Sequence, residues 1–91
     1  MFRDATLELA QINLTNLCNI CVSHLKKKNW KEVIKFAEDA LVIDHKCAKA
    51  LFMKGKGLEE LTEFEKAIDV FTDLVEFHPE HEEGIRELAK C

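Results

Sequence analysis

The chain has 91 residues, too few for two independent cores, and its 47% hydrophobic and 33% charged residues describe a folded chain rather than a disordered one. A net charge of -4 argues against nucleic acid as the main ligand, although it leaves room for a local basic groove that takes an acidic peptide. No apolar run approaches the ~20 residues of a membrane helix, and the first residues lack an apolar signal core, so no membrane partner and a cytoplasmic location are expected.

In chain order, residues 5–28 form the first predicted helix, ending on Lys26-Lys27-Lys28, cations that suit a helix C-terminus. A break at Lys28-Asn29 precedes a helix over 30–43. There Trp30, Val33, Ile34, Ala37, Ala40 and Leu41 recur at three- and four-residue steps, one face of a helix. Asp44-His45-Lys46 separates it from a helix over 47–61. Thr62-Glu63 then leads to a helix over 64–77, whose stripe is Phe64, Ala67, Ile68, Phe71, Leu74 and Val75. Pro79 ends that run. A last helix over 80–90, with Ile85, Leu88 and Ala89 on one side, would cover the open end of the stack. Such short breaks favour antiparallel neighbours, so the fold class is all-α: two helical hairpins plus a C-terminal capping helix, in a single domain.

The two hairpins are copies. Shifted by 34 residues, Leu17 falls on Leu51, Trp30 on Phe64, Ile34 on Ile68, Asp39 on Asp73 and His45 on Pro79. The repeats run over 14–47 and 48–81, with the capping helix at 80–91. Thirty-four residues is the period of the tetratricopeptide (TPR) repeat, and stacking such units buries faces that one unit cannot bury alone. Gly55 lies inside a helix, where glycine costs ~1 kcal/mol against alanine, so close helix packing is expected there.

The second repeat carries Leu51, Gly55, Leu58, Phe64, Ala67, Phe71, Leu74 and Pro79 and resembles the TPR pattern. The first departs from it at Cys21, Val33 and His45. The segment from Leu17 to Leu25, LCNICVSHL, and that from Ala48 to Gly55, AKALFMKG, resemble helices of the TPR domains of large immunophilins. These are the FK506-binding and cyclophilin-type prolyl isomerases, together with related co-chaperones. The resemblance implies a non-catalytic interaction module whose inner helix faces hold the acidic C-terminal tail of a heat-shock chaperone in a carboxylate clamp. Carried over by position, the clamp asparagine is Asn19 and a clamp lysine is Lys49. The clamp arginine falls at Met53, with Lys54 and Lys56 beside it. Methionine cannot bind a carboxylate bidentately, so the clamp is partial. Val22 and Phe52 would supply apolar contact. Equally, Phe52 would serve as inter-helix core, and Asn19 and Lys49 as ordinary solvated residues.

That family's preceding repeat has no counterpart before Ala5, so the chain reads as a piece of a larger protein. Its uncovered face near Leu9, Ile12 and Leu14 is expected to self-associate. The rival reading is therefore a structural assembly module that docks a folded partner or another copy without any clamp. Cys18-x-x-Cys21 with His24 is half of a metal or redox motif, but no second ligand pair follows at suitable spacing, and Cys21 sits where small residues pack. Structural cysteine is the expectation, with no metal and no cofactor; Cys91 is expected to be exposed, and His78 and His81 solvated. No phosphate loop, activated serine or fixed carboxylate pair is present, so no enzyme is expected; prolyl isomerase chemistry in such a protein belongs to a separate domain.

Overall fold

The computed structural model describes residues 2–90, with side chains from Leu14 onward. Five helices follow one another: α1 (Phe2–Lys26), α2 (Trp30–Ile43), α3 (Ala48–Glu60), α4 (Phe64–Phe77) and α5 (Glu82–Lys90). α1 packs on α2, α2 on α3, α3 on α4 and α4 on α5, while α1 also touches α3. This is a TPR-like α-α arrangement, with α1, α3 and α5 alternating with α2 and α4. The expected faces at Leu9 and Ile12, and Cys91, lie outside the described side chains.

The period found in the sequence is written into the backbone. α1 ends when the Lys28 N–H reaches the Leu25 carbonyl at 3.1 Å and the Asn29 N–H reaches His24 at 2.9 Å. Thirty-four residues later Thr62 bonds Glu59 at 3.0 Å and Glu63 bonds Leu58 at 2.9 Å. Both are Schellman ends, which need a left-handed residue; Lys28 (φ 61°) and Thr62 (φ 63°) supply it where glycine is usual. The first helix therefore stops short of residue 28, where the basic run had placed its end. The turns repeat in the same way. Cys47 bonds Asp44 at 3.1 Å and His81 bonds His78 at 3.0 Å, while Leu51 bonds Cys47 and Ile85 bonds His81. Consequently α5 is more than a lid: it stands one period after α3.

Two apolar clusters hold the stack. The first joins Cys18, Cys21, Val33, Ala37, Ala40 and Met53 between α1, α2 and α3. The second joins Leu51, Leu58, Ala67, Val70, Phe71 and Leu74 between α3 and α4. Leu41 packs against both, so the core is continuous across the repeats. Gly55 meets the expected close approach. A Cβ there would stand 2.5 Å from Cε1 of Phe71, a ring with no exposed surface.

Candidate functional site

α1 and α3 lie side by side, and the residues singled out from sequence fall on these two helices with different fates. Asn19 and Lys49 are exposed, and neither makes a hydrogen bond or ion pair with any described residue. Burial, reinforced by Cys47, raises the pKa of the Cys18 thiol, and the charge of Lys49 opposes this only in part. Asn19 lies on α1 and Lys49 on α3, two helices that touch. Val22 is half-buried against the first cluster.

Phe52 is also half-buried. Its ring packs at 6.2 Å from Phe71 and 5.9 Å from His81, centroid to centroid, so it combines a core side with a part still open to solvent. Met53 is different. Only 2% exposed, its thioether fills the space between Cys18, Cys21 and Ala50 in the first cluster. At that place the chain offers hydrophobic packing and no accessible polar group.

Lys56 is engaged as well. Its ammonium lies 3.4 Å from Glu59 on its own helix and 3.3 Å from Glu87 on α5. Burial works against the charge, but the hydrogen bond and attraction from Glu87, together with Glu59, outweigh it and raise the lysine pKa. Burial likewise acts to raise the Glu87 pKa. Hydrogen bonding to Glu59 and Lys56, with the charges of Lys56 and Lys90, overcomes it and holds the carboxyl below its ordinary value. Lys90 lies 3.5 Å from the second Glu87 oxygen, which is buried and has no well-aligned hydrogen bond, so this contact is one of charge. Lys54 faces the other way, 3.9 Å from Glu38 of α2.

Sequence reasoning missed this bridge, although a signal existed. The 34-residue register puts Glu87 at the place of Asn19 and Met53, and Lys90 at the place of Val22 and Lys56. The histidines also differ from expectation. His81 is half-buried and its Nδ1 accepts the Gly84 N–H at 2.9 Å, capping α5; His78 bonds the Lys46 carbonyl. A histidine can accept through an unprotonated ring nitrogen, which is why a turn histidine can replace the usual Ser or Asp cap.

The cysteines divide. Cys21 has no exposed surface and its Sγ donates to the Val33 carbonyl at 3.1 Å, tying α1 to α2. Burial, reinforced by Cys18 and opposed by the Ala37 backbone, pushes its pKa up to about 11. His24 does not join the pair: its ring stacks on Phe36 at 5.4 Å, and Nδ1 lies 3.3 Å from the Asn29 amide. Among the described residues no three His, Cys, Asp or Glu side chains converge to hold a metal, and no helix is long and apolar enough to cross a membrane.

The chain is similar to FKBP6. It is 35% identical over 78 residues to the inactive peptidyl-prolyl cis-trans isomerase FKBP6 of Equus caballus, a match covering 82% of this chain and 25% of that protein. The Homo sapiens FKBP6 is likewise 35% identical over 78 residues, and that of Bos taurus 33% over 72, or 79% of this chain. The chain thus spans about a quarter of the length of these curated relatives, 22–25%. No family model matches it. The immunophilin resemblance expected from LCNICVSHL and AKALFMKG agrees with this weak homology to FKBP6, itself named as an inactive isomerase.

Proposed function

We propose that the chain is a non-catalytic TPR-type interaction module, co-chaperone-like, that holds an acidic C-terminal peptide of a heat-shock chaperone. The observation that carries this reading is the state of Asn19 and Lys49. They are exposed, without side-chain hydrogen-bond or ion-pair partners among the described residues, and lie on α1 and α3, two helices that touch. Lysine offers a point charge to a carboxylate, and the asparagine amide donates without needing charge neutralisation. Phe52 and Val22 offer the apolar contact beside them. Met53 and Lys56 take no part: one is buried and the other already serves Glu59 and Glu87. The clamp in this reading is thus a two-residue one. Similarity to relatives named as inactive isomerases supports a binding role without catalysis.

Titration with an acidic chaperone-tail peptide tests it, run with the terminal carboxylate free and amidated. Binding should need the free carboxylate, and Lys49→Ala should weaken it and flatten its salt dependence. Binding indifferent to amidation, or none at high micromolar peptide, sinks the clamp.

A second reading, an assembly module that docks a folded partner or another copy, is favoured by Phe64. One period earlier Trp30 is half-buried, with Leu61, just past the end of α3, beside it and Gly57 letting α3 close on Ile34. Phe64 is 51% exposed, and the hollow at its side is lined by residues 62–66. Val42, Phe77 and Ile85 are exposed too. Sedimentation of the free chain across a concentration series decides this: a clean monomer up to high concentration removes self-association.

A further inference from the structure

The turns that close the two hairpins carry opposite charge at equivalent places. Residues 26–35 hold Lys26, Lys27, Lys28, Lys31 and Lys35 against one acid, Glu32. One period later, residues 60–69 hold Glu60, Glu63, Glu65 and Asp69 against one lysine, Lys66. Four places change sign outright: Lys26 to Glu60, Lys31 to Glu65, Lys35 to Asp69 and Glu32 to Lys66. All of these side chains are exposed. Among the described residues the only ion pair they form is Glu63 with Lys66, at 3.3 Å.

The apolar groups are divided in the same way. Trp30 and Leu61 wall a hollow of about 320 Å³ that is rimmed by Lys28 and Lys31. The residues after Leu61, 62–66, line the hollow beside Phe64, whose ring is 51% exposed. Leu61 thus stands between a basic recess and an acidic knob, side by side on one edge of the molecule.

We propose that this edge is a dimer interface: two copies meet edge to edge about a two-fold axis beside Leu61, and Phe64 of each enters the Trp30 recess of the other. The proposal rests on the assembly reading and names its partner as a second copy of the chain. A head-to-tail contact would use the recess of one copy and the knob of the next, leaving one of each open at the ends. A two-fold contact uses both at once, because in an isologous interface residue i meets residue j while j meets i. Lys31 then faces Glu65 of the second copy, and Glu65 faces the second copy's Lys31. Setting like turns together would instead oppose lysines to lysines. Ring burial holds the contact, and the charges set its register and exclude the parallel alignment.

Sedimentation of the full chain over a concentration series, combined with charge reversal, tests the interface. A monomer–dimer equilibrium is expected, weakened at ~1 M salt, where the screening length falls to ~3 Å. Lys31→Glu and Glu65→Lys should each weaken the dimer roughly tenfold, since one substitution counts twice across the axis and turns attraction into repulsion. Circular dichroism should show both variants as helical as wild type, because both sites are exposed. Mixing the two variants should restore the dimer, as each supplies the charge that the other needs, and so should the double variant alone. Phe64→Ala should weaken the wild-type dimer without affecting the fold. A dimer indifferent to both charge reversals and to Phe64→Ala would overturn this edge while leaving self-association through another face. A chain that is monomeric throughout would overturn the proposal together with self-association itself, and growth into open-ended chains would overturn the two-fold arrangement.

Discussion

Gly55→Ala is the substitution whose sign the structure reverses. In an exposed helix interior, alanine for glycine gains about 1 kcal/mol through backbone entropy. Here the new methyl would lie 2.5, 2.6 and 3.0 Å from Cε1, Cζ and Cδ1 of Phe71. These are atoms of a rigid ring, not the end of a flexible chain. Phe71 is fully buried, and its other contacts include Phe52 and the second cluster, so it retreats only by disturbing them. Overpacking of this kind costs ~1–3 kcal/mol, and contact with three ring atoms places it in the upper part of that range. The net expectation is a loss of about 1–2 kcal/mol, or roughly 5–15 °C in Tm for a domain of this size. Chemical denaturation with an unchanged m-value measures it. Adding Phe71→Leu should recover part of the loss in a double-mutant cycle, since the two sites share one space. A Gly55→Ala protein as stable as wild type or more so would refute the packing argument and return Gly55 to an ordinary helical glycine.

Thr62→Gly should act in the opposite direction. A β-branched residue at φ 63° carries a left-handed penalty of about 1–2 kcal/mol, of which the flexibility of glycine in the unfolded chain returns about 0.4–1, leaving a net gain of ~0.5–1 kcal/mol by denaturant titration. Lys28→Gly, at the equivalent unbranched position, should gain less. The Glu87 bridge predicts an acid-side dependence. Its folded pKa lies below the unfolded value, so its stabilisation is fully present above the ordinary glutamate range, near 4.5, and is lost as pH falls through the depressed value. Glu87→Gln should therefore flatten the fall of Tm with pH in that window, and an unaltered profile would show that the bridge contributes nothing.

The helices were legible because one apolar stripe recurs twice. Trp30–Ile43 and Phe64–Phe77 have the boundaries that the stripes predicted, since Asn29 and Glu63 follow a left-handed residue at each start and no periodic residue lies beyond. The end of α1 was less legible. Lys26-Lys27-Lys28 is as compatible with a last helical turn as with a cap, and only the backbone shows Lys28 leaving the helix. Side-chain fates were harder still. A register comparison finds Met53 at the place of Asn19, but it does not say that one is buried and the other free. That depends on the crossing of α1 over α3, where Ala50 and Cys21 let the helices approach.

Along α1, α3 and α5 the same structural place holds in turn an amide, a thioether and a carboxylate: Asn19, Met53 and Glu87. The next such place holds Val22, Lys56 and Lys90. Near α5 the two lysines are spent on Glu87, with Glu59 sharing the first, so their positive field is largely cancelled within the protein. Lys49 has no such partner among the described residues. In the proposed reading the attraction for a carboxylate comes from Lys49 and gives way to the acidic side chain of Glu87 towards α5. In the proposed reading this gradient orients the ligand. Its terminal carboxylate belongs beside Lys49 and Asn19, and its other acidic side chains gain by running away from α5. Over such distances exposed charges are screened within about 8–10 Å at ordinary salt, so the gradient governs orientation and approach more than final affinity.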